Sequence, residues 1–558
     1  MTDLDRATAT DATSRPRDAS GIARGAAVIA GLTVLSRVLG LVRTLVFSQT
    51  VGATCLGTAY VTANQVPNLI YELVLGGALA SAMVPVLARS AEQSATDPAE
   101  KARVRQITSA LLTWSVIILV PLTLIVVVAA GPIAAALNPA NPSAHCDHAA
   151  VVATTASMLR VFAPQVVLYG LSVVLFGLLQ AYRRFAGYAL SPVISSLVLI
   201  ASYLAFAPLG RGLPLARLPV AAQLVLSVGT TMSIAALVLV ASVPTWRLHL
   251  RLRPTLRFPP GVARRAGGLA MVGVVELIAA DMSALVSIAL ANGRGTTGAL
   301  VLYNYAYLVF SSIYSALAIS IVLSVFPVLS ARDGQQFDRT CAGSTRAVVL
   351  ANCLGMAVTA AVAIPAAHVL AGQPGQVPQL IWGFVLFAPG LVGIGVIANL
   401  SRAMLAIGRL KVAAVAVAGS WLLVVLAQVV LAELLPGRLT VAALALGNTI
   451  GQTVAAIPLV IVARRIRGKA ALHKVGRAVL AGVAAAAAAA VAGLGVSIAL
   501  PANDKLPAVG IGTLAVGCAV IVFGGVAFLL DPDDLRALLT RLRQIARLRP
   551  ATADEADG

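Results

Sequence analysis

Fourteen apolar runs, each long enough to cross a lipid bilayer, constrain this sequence more than any other feature. They fall at residues 22–50, 58–88, 104–131, 149–181, 185–208, 218–243, 262–292, 299–330, 341–371, 379–407, 410–434, 439–463, 475–499 and 508–530. A bilayer span needs about 20 predominantly apolar residues. The runs are continuous and rich in Leu and Ala, whereas the strands of a membrane barrel would be short and alternating. With 59% apolar residues, 11% charged residues and a mean hydropathy of +0.92, the chain cannot cover a soluble globule with polar surface. The expected class is therefore an all-α polytopic membrane protein with fourteen transmembrane helices.

The net charge of +20 would suit a nucleic-acid partner, but its distribution argues otherwise. Placing the N-terminus in the cytoplasm leaves only Arg211, Arg217, Arg294, Arg438 and Lys505 in outward loops, and Arg37, Arg43, Arg160 and Arg402 within helices. The remaining 32 of the 41 Lys and Arg then lie in cytoplasmic loops and tails. This positive-inside bias predicts that both termini are cytoplasmic, with anionic membrane lipids rather than nucleic acid facing the basic loops. The first run is too long for a cleavable signal peptide and has no small-residue cleavage site after it. Of five cysteines, only Cys55 and Cys146 fall in outward loops; that admits at most one disulfide, and no framework spacing favours one. His145-Cys146-Asp147-His148 invites a metal reading, but no second ligand cluster is evident, so a solvated loop is expected.

The chain also repeats itself. Arg160-Val161-Phe162-Ala163-Pro164 resembles Leu386-Phe387-Ala388-Pro389 at an offset of 225, which also superposes Arg184 on Arg409. Val84-Pro85-Val86-Leu87-Ala88-Arg89 resembles Phe326-Pro327-Val328-Leu329-Ser330-Ala331-Arg332. Six runs separate each pair, and an even number preserves orientation. Two parallel six-helix lobes plus two extra C-terminal helices are expected, with a substrate site between the lobes. The expected divisions are a disordered cytoplasmic tail (1–20), an N-terminal lobe (21–246), a cytoplasmic linker (247–261), a C-terminal lobe (262–466), the last two helices (467–530) and an amphipathic cytoplasmic tail (531–558). The alanine run Ala484–Ala490, flanked by Gly482 and Gly493, suits close helix approach or a groove for a lipid tail, and equally a weakly hydrophobic face turned to lipid.

Charges within the runs mark function, because a charge at bilayer depth costs at least about 2.5–3.5 kcal/mol. Arg37 lies about 20 Å along the first helix from its cytoplasmic end, and Arg43 six residues further. Guanidinium groups match phosphate oxygens, so both arginines are candidate ligands of an anionic substrate; the alternative pairs Arg37 with Glu72 or Asp281 and lets Arg43 snorkel. Asn64, Asn68 and Glu72 supply further polar contacts on the second helix. Pro67, Gly76 and Gly77 are candidate hinges there. Asp281 and Glu276, on the seventh run, are candidate charge partners or cation-coupling groups. Arg402 and Arg160 lie near helix ends, where snorkelling is expected. No motif for ATP hydrolysis, metal-dependent cleavage or paired-cysteine chemistry occurs, so no enzyme and no cofactor are expected.

The stretch SRVLGLVRTLVF, followed by VPNLIYELVLGGALASAMVPVLAR, resembles the signature region of the MurJ/MviN family of bacterial lipid II flippases, within the multidrug/oligosaccharidyl-lipid/polysaccharide exporter superfamily. The resemblance extends over essentially the whole chain. It implies a multi-pass protein of the bacterial cell membrane, acting in peptidoglycan and cell-wall biogenesis and hence cell shape. Its cargo would be the undecaprenyl-pyrophosphate-linked precursor, flipped by alternating access with coupling to membrane potential or a monovalent cation. It also implies cell-wall synthesis proteins as partners, and places the two helix-1 arginines of the family on Arg37 and Arg43. Thr44 and Thr58 stand where the family commonly has acids, Tyr71 and Glu72 where it has basic residues, and Leu308 where it has an arginine. The rival readings are a flippase for another polyprenyl-linked glycan, a cation-coupled drug exporter of the same fold, and a membrane scaffold for cell-wall or division proteins.

Overall fold

A computed structural model describes residues 16–73, 93, 97–182, 184–250, 252–258, 262–500 and 504–532. Every regular element among them is helical. The first nine helices are α1 (Pro16–Thr50), α2 (Cys55–Leu73), α3 (Pro98–Val128), α4 (Ala130–Leu137), α5 (His148–Phe162), α6 (Gln165–Ala181), α7 (Phe185–Gly210), α8 (Val220–Trp246) and α9 (Val262–Arg294). They are followed by α10 (Ala299–Tyr314), a π-helical turn (Ser315–Ile319) and α11 (Ser320–Ser330). The last eight are α12 (Gly334–Ala361), α13 (Ala363–Leu370), α14 (Val377–Phe387), α15 (Gly390–Ala406), α16 (Leu410–Leu434), α17 (Thr440–Arg467), α18 (Val475–Ala499) and α19 (Lys505–Leu530).

Over its described residues, each apolar run coincides with a helix or a broken helix. Twelve helical stretches are long and apolar enough to span a membrane among the described residues. The first two runs do not add to that number; α2 ends at Leu73, and the rest of its run, with Gly76 and Gly77, lies outside the described residues. Helix α1 begins at Pro16, within the stretch expected to be a disordered tail; residues 1–15 and the amphipathic tail from residue 533 lie outside the described residues. Large apolar side chains such as Val128, Leu506 and Leu529 are at least 80% exposed. An outer surface of that kind is stable against hydrocarbon, where backbone groups must be satisfied within the helices.

The repeat is visible in local backbone detail. The fourth run breaks at Ala163-Pro164, between α5 and α6, and the tenth breaks at Ala388-Pro389, between α14 and α15. Proline lacks the amide that would continue the ladder. Arg184 and Arg409, 225 positions apart, precede α7 and α16 with φ/ψ of −87°/60° and −88°/56°. Their amides donate to Leu179 and Met404, again 225 apart, at 2.8 and 2.9 Å. Packing follows the same scheme: α1 on α7 and α9 on α16, α7 on α8 and α16 on α17, α2 on α5 and α10 on α14, α3 on α6 and α12 on α15. Helices α18 and α19 pack on each other and on α12.

Cys55, at the start of α2, is disulfide-bonded to Cys146 in the loop before α5, with Cα atoms 5.8 Å apart. This corrects the expectation from spacing, which considers only linear frameworks and cannot see two loops folded together. Around this disulfide the two halves interlock. Asn141 donates to the carbonyls of Asn292 and Gly295, both at 2.7 Å. Asn292 donates to Thr62 and to the Leu137 carbonyl. Gln376 reaches the Ala53 carbonyl at 2.8 Å, and Gln49 the Val369 carbonyl at 3.0 Å. Gly298, at φ +81°, brings the turn before α10 so close to Ala53 that a Cβ would sit 2.4 Å from its carbonyl oxygen. A buried aromatic cluster continues the seal inward, with the Phe47 ring 5.4 Å from Tyr60 and 6.5 Å from Tyr305 of the other half. Within the His145–His148 loop, His148 bonds the Asn138 carbonyl, and Asp147 caps α5 by accepting from the Ala149 amide at 3.0 Å.

The small-residue face of α18 is a helix interface. A Cβ on Gly493 would lie 2.4 Å from that of Ala361, and one on Gly482 would lie 2.9 Å from the Cys353 sulfur. Ala478, Ala485, Ala486 and Ala489 are buried along the same helix. Of the three readings of the alanine run, close approach is the one the packing realises, and α12 fills the space that a lipid tail would need.

Candidate functional site

Helix geometry separates the two arginines of α1. Six residues advance the helix by about 9 Å and rotate it by roughly 120° from alignment. Arg43 is half-buried and lines a chamber of about 420 Å³. Arg37 is exposed, lies outside that chamber and donates to the Ser315 hydroxyl at 3.4 Å, where the π-helical turn begins. Of the two arginines expected to act together, Arg43 lines the chamber and Arg37 does not.

The first chamber unites Arg43 with Asn64 and Asn68 of α2, Tyr169 of α6 and Asn304 and Tyr305 of α10. Pro67 is buried inside the uninterrupted helix α2, one turn beyond Asn64. Asn68 accepts from the Tyr169 hydroxyl at 2.8 Å, which aims the amide of Asn68. The Asn64 carbonyl oxygen, the Asn304 amide nitrogen and the Tyr305 hydroxyl are buried and unpartnered among the described residues. Arg43 itself has no hydrogen-bond or ion-pair partner there. Thr44 and Leu308, which replace charged residues of the resembled family, both line this wall and leave Arg43 as its one charged residue among the described residues. A lone guanidinium among unpaired polar atoms is arranged to receive an anion.

A second chamber of about 420 Å³ lies beside the first, sharing Gln65, Asn304, Tyr307 and Ser311 with it. Its charges are inverted. Glu72, Glu276 and Asp281 line it, against one cation, Arg402. Glu72 and Glu276 are exposed at its rim, whereas Asp281 is only 4% exposed. Neither carboxylate oxygen of Asp281 has a partner among the described residues, and the same holds for both amide atoms of Gln452 and the hydroxyl of Ser401. Arg402 corrects the expectation of snorkelling. Its distance from the end of the run placed it near the interface, but its rotation on α15 turns it into the chamber. The sequence signal for Arg402, Asn448 and Gln452 was their polarity within apolar runs, which counts as weakly as any single polar residue until the facing helix is known.

Comparison with known proteins bears on what such chambers serve. A sequence profile described as "Lipid II flippase MurJ" matches residues 47–503. The chain belongs to the lipid II flippase MurJ family. The match begins just after Arg43 and Thr44 and contains the other chamber residues named here. The chain is also 30% identical over 185 residues to the "Lipid II flippase MurJ" of Burkholderia cenocepacia, covering 33% of this chain and 34% of that protein. It thus spans about a third of the length of the curated relatives it matches. Among solved structures, it superposes on "Lipid II flippase MurJ, inward closed conformation" with a TM-score of 0.67 and 15% identity, covering 90% of this chain and 99% of the other. It also superposes on an inward-facing multidrug resistance MATE family transporter of the MOP superfamily, with a TM-score of 0.62 and 15% identity, covering 80% and 98%. At that identity the two superpositions establish the fold alone, which is MurJ-like.

Proposed function

We propose that this MurJ-family protein moves an undecaprenyl-pyrophosphate-linked disaccharide-pentapeptide from the inner to the outer leaflet of the bacterial cell membrane by alternating access. The observation that carries this reading is the unpaired Arg43 guanidinium in a polar chamber at the junction of the two halves. The pyrophosphate would meet Arg43, with Asn64 and Asn68 bonding its oxygens or the first sugar, and Arg37 guarding the approach beside Ser315. The disulfide end would face outward, which suits an oxidising exterior and the positive-inside bias of the loops. The lobes would span 21–246 and 262–466 and rock against each other, breaking and remaking the contacts around Asn141 and Asn292. Membrane potential, or a monovalent cation at Asp281, would reset the empty carrier; a charge crossing 100 mV gains about 2.3 kcal/mol. The chain would act as a carrier, not an enzyme, served by anionic lipids and cell-wall synthesis proteins.

The experiment is complementation of a flippase-depleted bacterial strain, with the surface-exposed precursor measured. Rescue by the wild-type protein and loss of rescue in Arg43→Ala, with membrane insertion intact, are expected. Failure of the wild type to expose precursor would overturn the reading. A cation-coupled drug exporter is the second reading, favoured by the three carboxylates and the tyrosines of the second chamber; it predicts drug resistance without rescue.

A further inference from the structure

Two adjoining chambers of opposite charge suit a cargo that carries both charges. We propose that the second chamber is a binding site for a primary ammonium group on the peptide arm of the cargo, while the first holds its pyrophosphate. This rests on the flippase reading above and specifies which part of the same cargo the second half grips.

The argument starts from Asp281. A carboxylate withdrawn from water and left without a partner costs several kcal/mol, so such groups in stable proteins serve a visiting ligand or ion. Asp281 is 4% exposed, both its oxygens are unpartnered among the described residues, and it lines an open cavity rather than packed core. The neighbouring wall supplies acceptors of the kind a three-pronged N–H donor needs. Gln452 is 1% exposed with a free carbonyl oxygen, and Asn448, also 1% exposed, has a free Oδ1. Ser401 adds a free hydroxyl. An ammonium group donates three hydrogen bonds and accepts none, which matches a cavity whose lining offers a carboxylate and amide oxygens. Glu72 and Glu276 at the rim would draw the cation inward, and with Asp281 they outnumber Arg402, the cation among the described residues of this lining. Gln65, Asn304, Tyr307 and Ser311 line both chambers, so the two adjoin and the two ends of one cargo would lie side by side.

The test uses the full-length protein in lipid nanodiscs and two synthetic polyprenyl-pyrophosphate glycopeptides that differ only in the peptide amine, free in one and N-acetylated in the other. The wild type is expected to bind the free amine about tenfold more tightly, the scale of one charge-assisted contact. Asp281→Asn should reduce that preference to less than about twofold. Arg43→Ala should weaken both probes while preserving their ratio. Glu72→Gln, at the exposed rim, should lower the preference partially and serves if Asp281→Asn does not fold. Equal wild-type affinity for the two probes overturns the ammonium site while leaving the flippase reading intact. Binding of neither probe by the wild type overturns both. Sodium-dependent stabilisation that requires Asp281, with no preference between the probes, assigns the pocket to a small cation and overturns the proposal.

Discussion

Asn141 bonds the backbone of Asn292 across the two halves, its Nδ2 lying 2.7 Å from the Asn292 carbonyl and equally close to that of Gly295. Asn292 returns the connection, donating its own amide to Thr62 and to the Leu137 carbonyl. Among the described residues, the hydrogen bonds between 16–246 and 262–530 gather at this end, apart from Arg37 to Ser315. The closed end is therefore held mainly by neutral side chains bonded to backbone carbonyls, each worth roughly 0.5–1.5 kcal/mol, with Lys505 donating to Gln49 beside them. Such a closure is firm enough to populate one state and weak enough to open, as the proposed transport cycle requires.

Asn141→Ala should then shift the conformational balance. Two lost bonds amount to about 2 kcal/mol, or a roughly thirtyfold change in the ratio of closed to open forms. Spin-label distances between the Asn141 loop and the Gly295 turn should broaden toward longer values. An unchanged distance distribution would mean that the aromatic cluster around Phe47, and not the asparagines, holds this end shut.

The Cys55–Cys146 disulfide joins residues 91 positions apart within the first half, so it does not cross the boundary between the halves. Cys55→Ser with Cys146→Ser should lower thermal stability, by about 2–4 kcal/mol on the usual scale for loops of this size. Flipping should survive, because the lobe merely loses a tether. Loss of transport at a temperature where the double variant remains folded would show that the tether also shapes the Thr297 contact beside it, where Cys146 lies 3.8 Å from the hydroxyl.

How much of this was legible beforehand depends on the range of the interaction. The helices follow from run length, and the repeat from Ala163-Pro164 and Ala388-Pro389, because both are local properties that the backbone expresses directly. Arg43 with Asn64 and Asn68 was legible as a polar set, since charges in apolar runs are expensive wherever they sit. The division of Arg37 from Arg43 was legible only as an angle on a wheel; which of the two faces the chamber depends on how α1 rotates against α2 and α10. The disulfide and the inward turn of Arg402 depend on contacts between distant segments, and no spacing rule reports those.

Arg43 and Arg37 should differ in consequence. Arg43→Ala removes the one charge lining the first chamber among the described residues and should reduce precursor flipping at least about a hundredfold, the worth of a charge-assisted phosphate contact. Arg43→Lys should recover part of it, because a point charge remains but the two-pronged geometry is lost. Arg37→Ala should retain more activity than Arg43→Ala, its contact to Ser315 being exposed and 3.4 Å long. Surface-exposed precursor, normalised to protein in the membrane, measures all three. Equal loss at both positions would indicate that Arg37 swings into the chamber at another stage of the cycle.

Gly493 tests whether α18 belongs to the folded scaffold. A Cβ there would lie 2.4 Å from the Cβ of Ala361 and 3.2 Å from the Ala515 carbonyl oxygen, so α12, α18 and α19 meet at one point where no side chain fits. Gly493→Val must push these helices apart and should cost about 1–3 kcal/mol, the usual penalty of overpacking. Gly495, two residues on, has nothing within 4 Å of the corresponding position, so Gly495→Ala should leave stability unchanged or slightly raised. Thermal unfolding in detergent separates the two. If both variants melt with the wild type, α18 is free to drift from α12 in the membrane, and the small-residue face would again be open to a lipid tail.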